Sequence, residues 1–170
     1  MSEREDTAEG RRPGPFRRLD DLDRHIAGFM RGWGTLALRY SLAVIFIWFG
    51  ILKPLGLSSA APLVRATTAW MPLLGPDEWV LLVGWLEVAI GVTFLFRRTI
   101  RIGVALLALQ MVGTFMPLVL LPDVVFQEGG APFAPTMEGQ YIIKNLLIIS
   151  AALVVGGTVR GEESGRERRV

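Results

Sequence analysis

The chain has no cysteine and a single histidine, His25. Without thiols there can be no disulfide, thiolate metal site, CxxC redox pair or persulfide chemistry on this chain. His25 lies outside the apolar stretches, so a histidine pair within the chain cannot ligate haem. Carboxylates are scarce where the chain is apolar. Glu87, in Trp79–Phe96 (WVLLVGWLEVAIGVTFLF), is the only acid inside a long hydrophobic run. No signal peptide is expected, because no apolar core precedes residue 35 and no small-residue cleavage site follows.

Apolar residues, by contrast, are abundant. They make up 51% of the 170 residues, and the mean hydropathy is +0.43. The charges sit mostly at the ends and in one short loop, with long apolar blocks between them, which is a membrane-like pattern. A pI near 9.5 could suggest nucleic acid. Because the bases segregate by topology, the expected partner is the lipid bilayer, with no nucleic acid.

Residues 1–14 are mixed in charge and poor in apolar residues, and read as a disordered cytoplasmic tail. Over 15–33, Phe16, Leu19, Leu22, Ile26, Phe29, Met30 and Trp33 recur at three- and four-residue spacing, with Arg and Asp between them. This predicts an amphipathic helix lying in the membrane interface, or alternatively a docked cytoplasmic helix. A transmembrane domain follows over 34–159. A span needs about 20 mainly apolar residues, and four runs qualify, 35–52, 79–96, 102–121 and 141–159. Residues 160–170 form a second cytoplasmic tail. In the connection 54–78, Ser59 is a candidate cap for a short helix with Pro62 in its first turn. The connection 122–140, rich in proline, glycine and acids, reads as an irregular lid or connector. The expected fold class is therefore all-α: a polytopic membrane four-helix bundle with an N-terminal amphipathic interfacial helix.

Lysine and arginine set the orientation. Arg4, Arg11, Arg12, Arg17, Arg18, Arg24, Arg31, Arg97, Arg98, Arg101, Arg160, Arg166, Arg168 and Arg169 fall on one side, and only Arg65 on the other. The positive-inside rule then predicts a multi-pass protein of the cell inner (plasma) membrane with both termini cytoplasmic.

Helical geometry, about 100° per residue, groups the odd polar residues into one stripe per span. The stripes are Arg39, Ala43, Phe46, Gly50 and Lys53; then Gly84, Glu87 and Gly91; then Gly103, Gln110, Gly113, Thr114 and Pro117; and finally Lys144, Ile148, Ala151 and Val155, with Asn145, Ala152 and Gly156 beside them. Each polar residue stands among small ones, as membrane helix contacts prefer. An ionisable residue at mid-bilayer costs about 2.5–3.5 kcal/mol and normally faces a partner. Glu87 lies about 12 Å in from the outer end of its span, a depth compatible with Lys53 or Lys144 as its base. Gln110 falls near mid-membrane and Arg39 near the cytoplasmic end. On one reading Glu87 simply bridges a base and fixes helix register. On the other, the excess of base over acid, with Trp48, Trp85 and Tyr141 nearby, forms an outward-facing pocket for a quinone or a small oxyanion. The tryptophans and tyrosine also suit interface-belt positions.

The blocks Phe46–Lys53, Gly56–Ser58 with Ala61–Val64, Leu86–Val88 with Ile90–Gly91, Gly113–Phe115 with Pro117, and Glu138–Leu146 together resemble DoxX-like membrane proteins over residues 35–157. Pro54 and Ser59 depart from that pattern, where an aromatic and a proline are common. The resemblance implies a compact four-helix membrane bundle with polar positions at Lys53, Glu87, Lys144 and Asn145. It also implies association with quinone-linked oxidoreductase complexes or with oxidative stress responses. The expected function is then a redox-associated subunit holding a quinone-like or small oxyanion ligand in an outer-half pocket. Such a subunit is not a stand-alone redox enzyme. It needs a membrane or soluble redox partner, has no covalent cofactor and no metal, and is a candidate homo-oligomer. The alternatives are a small permease or efflux factor for a weak acid or anion, and a structural or assembly subunit of a membrane complex.

Overall fold

The computed structural model describes residues 15–130 and 132–167, with side chains from Leu19 to Thr158 apart from residues 20, 21, 31 and 131. The predicted 1–14 tail and residues 168–170 lie outside the described residues. Among the described residues every regular element is helical. In chain order they are α1 (Pro15–Leu52), α2 (Ala61–Thr68), α3 (Pro76–Leu95), a 3-10 turn (Arg97–Thr99), α4 (Ile100–Phe115), α5 (Pro117–Leu120), α6 (Pro122–Val125) and α7 (Met137–Glu167). Among the described residues four helical stretches are long and apolar enough to cross a membrane: Leu22–Leu52, Pro76–Leu95, Arg97–Leu120 and Met137–Thr158.

The chain divides into two units, residues 1–34 and residues 35–170. In the first, Leu19, Leu22, Ile26, Phe29, Met30 and Trp33 are exposed, and the rings of Phe29 and Trp33 stack with centroids 6.2 Å apart.

In the second unit one apolar core joins all four long helices. It contains Leu42, Ala43 and Phe46 of α1, Ile90 and Phe94 of α3, Ile100, Leu107 and Met111 of α4, and Ala151, Ala152 and Val155 of α7. Glycine sets how closely α1 and α3 approach. A Cβ on Gly91 would stand 2.8 Å from the Ala43 carbonyl oxygen and 2.6 Å from Ile47 Cγ1. One on Gly84 would stand 2.7 Å from Lys53 Cβ, and one on Gly50 would stand 2.8 Å from the Gly84 carbonyl oxygen. Backbones this close gain dispersion contacts, which drive helix association where there is no hydrophobic effect between helices. The contacts also fix an antiparallel register, with Lys53 level with Gly84 and Ala43 level with Gly91.

Element boundaries follow local chemistry. Helix α3 begins three residues before the predicted 79, because Pro76 occupies its first turn and the Glu78 carboxylate accepts the Gly75 N–H at 2.8 Å. Helix α2 begins at Ala61 with Pro62 in its first turn as predicted, but its cap is Ala60 with no side-chain hydrogen bond, not Ser59. The predicted span 102–121 is broken at Met116, since Pro117 has no N–H to continue the α4 ladder. The connection predicted as irregular holds regular structure at its described residues. They contain α6 and an antiparallel bridge between Phe126 and Pro135. Helix α7 starts at Met137 and runs through residue 167, into the predicted tail.

Candidate functional site

Helix α1 ends where Pro54 follows Lys53, and Gly56, at φ +72°, turns the chain away. Lys53 thereby stands at the carbonyl end of α1, where the helix dipole favours a cation. Gly84 has no side chain to obstruct it. The Lys53 ammonium meets the carboxylate of Glu87, one turn along α3, with Nζ 2.5 Å from Oε2. The Gln110 side-chain amide of α4 donates to the other carboxylate oxygen, Oε1, at 3.2 Å. Lys53 is 6% exposed and Gln110 8%, and the Glu87 side chain keeps 15% of its surface. Three helices thus contribute one group each to a nearly enclosed polar cluster with no formal net charge.

Both oxygens of Glu87 accept a hydrogen bond, while Lys53 has three ammonium donors and uses one on Glu87. The cluster can therefore still donate to an acceptor atom, and its carboxylate stands beside that donor. Near the same end of α3, the buried Trp79 indole N–H has no hydrogen-bond partner among the described residues.

Other expected members of the pocket lie elsewhere. Lys144 is solvent- or lipid-facing and sits over the Tyr141 ring, with Nζ 5.4 Å from its centroid. It does not pair with Glu87. The cause is the way α7 is covered at its start. There Gly139 packs on the Val125 carbonyl and Ile142 is buried, and Lys144, two residues beyond Ile142, is turned about 200° away from it. Asn145 donates to the carbonyls of Tyr141 and Ile142 in its own helix, at 2.9 and 3.2 Å. Trp48, Trp85 and Tyr141 are 65%, 59% and 63% exposed. Arg39 is buried in the middle of α1, 14 residues before Lys53 and so about 21 Å from it along the helix at 1.5 Å per residue. Of the first predicted stripe, Arg39, Ala43, Phe46, Gly50 and Lys53 are all buried. Gly84 and Gly91 are likewise buried, whereas Gly113 of the third stripe is exposed.

The close glycine contact behind the pair leaves only a faint mark on the sequence. Its signal is the pair of segments Gly50-x-x-Lys53 and Gly84-x-x-Glu87, each placing a charge one turn after a glycine. Comparison with protein-family models, with curated proteins and with solved structures returns no match.

Proposed function

We propose that the chain is a multi-pass protein of the plasma membrane, a DoxX-like helix bundle with both termini cytoplasmic, acting as a redox-associated subunit. In this reading the Lys53–Glu87–Gln110 cluster receives a quinone-like ligand from the outer half of the bilayer. The observation that carries it is a buried ammonium with donors to spare beside a carboxylate. With Lys144 turned away, the formal charges of the cluster cancel, which favours a neutral carbonyl acceptor over an oxyanion. The ammonium would donate to a quinone carbonyl oxygen in a charge-assisted hydrogen bond, and the Glu87 carboxylate would take up a proton from water and relay it to the quinone oxygen as the partner's electrons reduce the ring. Electrons would come from a partner protein, since no thiol is present to hold a metal or a disulfide.

Equilibrium dialysis of the detergent-purified protein against a short-chain ubiquinone tests this reading. Saturable binding near one per chain is expected. It should weaken about tenfold, the worth of one good hydrogen bond, in the charge-neutral double variant Lys53→Met/Glu87→Gln and stay unchanged in Lys144→Met. Absence of saturable binding, or equal binding by the double variant, overturns it.

A second reading has its own support. One base meeting one acid, with Gln110 on the remaining oxygen, is all that a register lock between α1, α3 and α4 requires. Buried ion pairs often add little net stability, whereas half a pair is costly. As a structural or assembly subunit, the protein would keep its cellular role when Lys53 and Glu87 are both replaced by apolar residues of similar size.

A further inference from the structure

The end of the helices opposite Lys53 holds a second buried charge that the cluster does not use. Since Ala43 is level with Gly91, Arg39 lies one turn further on, level with the last turn of α3 and next to the Arg97–Thr99 turn. Arg39 is only 8% exposed, yet its Nε has no hydrogen-bond partner among the described residues. The Tyr40 ring lies 4.7 Å from the guanidinium carbon and offers its negative face. A ring cannot accept all of a guanidinium's directed N–H bonds, and Arg39 takes part in neither the Lys53–Glu87 nor the Arg65–Asp77 ion pair. In the turn that follows α3, the exposed Arg98 adds positive charge at the same level.

A guanidinium buried level with the last turn of α3, with no carboxylate partner among the described residues, lacks an acceptor of fixed geometry. We infer that Arg39 holds a phosphate-type oxyanion, the phosphodiester of an anionic lipid headgroup or free phosphate. The planar fork matches two phosphate oxygens at once, which an ammonium cannot do. The site is independent of the cluster at Lys53 and of whatever that cluster binds.

The test is native mass spectrometry of the full-length protein in mild detergent with added phosphatidylglycerol or phosphatidylcholine, alongside calorimetric titration with inorganic phosphate. The wild-type chain should retain one phosphatidylglycerol with a preference of about tenfold over phosphatidylcholine, equivalent to one charge-assisted contact. Arg39→Leu should abolish the preference and Arg39→Lys should reduce it. Arg98→Leu, which removes an exposed arginine at the same end, should change it less than about twofold, as expected of a screened surface charge. Should Arg39→Leu fail to fold, the wild-type preference and its reduction in Arg39→Lys decide. Saturable phosphate binding that displaces the lipid identifies free phosphate as the natural source, and its absence with lipid preference intact identifies the headgroup. Equal retention of both lipids with no phosphate binding overturns the inference, as does a preference that survives both substitutions at Arg39.

Discussion

Glu87 has its two carboxylate oxygens divided between an ammonium from α1 and an amide from α4. Replacing it by Gln keeps the shape but strands the Lys53 charge in a nearly closed site. Breaking a buried pair from one side costs about 3–5 kcal/mol, so Glu87→Gln should lower the chemical-denaturation midpoint in mixed micelles sharply. The further change Lys53→Met in the same chain should recover most of that loss. If the double variant is as unstable as Glu87→Gln, the pair is not the seat of the effect. Gln110→Leu removes one hydrogen bond only, and interhelical hydrogen bonds in membranes average about 0.6 kcal/mol, so its midpoint should move little. The acid is visible from sequence because nothing else in its apolar run is charged. Its partner is not, because depth along a helix admits Lys53 and Lys144 equally. The choice depends on how α7 is rotated at its start, which Gly139 and Ile142 set by packing under the 122–136 connection. No period in α7 itself carries that information.

At the scale of elements, the α1–α3 contact rests on missing side chains. A Cβ at Gly91 would meet backbone atoms of Ala43 and Ile47 at 2.8 Å, which a rotamer change cannot relieve. Gly91→Ala should therefore push the helices apart and cost about 1–3 kcal/mol, the usual range for overpacking. Gly113→Ala, with nothing within 4 Å of the added atom, should cost nothing measurable and gain a little helix propensity. Thermal unfolding of the two variants in detergent separates them, and equal losses would show that the glycine contact does not hold the pair together. The long helices and the buried face of α1 are legible because hydrophobic runs and a 3.6-residue period are local. The break at Met116 is visible in Pro117 once α4 is given its register. The bridge between Phe126 and Pro135 is not, since it pairs two short segments with no alternation to betray them.

For the whole molecule, the sidedness of the helices decides which compartment each polar site serves. The antiparallel register of α1 and α3 puts Lys53 and Arg39 at opposite ends, with the arginine-rich turn at the Arg39 end. Counting bases by the positive-inside rule, we read that end as cytoplasmic and the 126–136 connection as external. The absence of cysteine makes this directly measurable, because any introduced thiol is the only one in the chain. Phe133, 91% exposed in the 126–136 connection, and Arg98, exposed in the turn before α4, are suited to single substitution by cysteine. A membrane-impermeant maleimide applied to intact spheroplasts should label Phe133→Cys at once and Arg98→Cys only after lysis. The reverse pattern would turn the molecule over. Lys53, Glu87 and Gln110 would then face the cytoplasmic leaflet and a quinone reduced from that side. Arg39 would be left in the outer leaflet, with anionic headgroups on the wrong side to reach it if they are confined to the inner one. One labelling experiment therefore constrains both sites together, because a single register of α1 against α3 holds them apart.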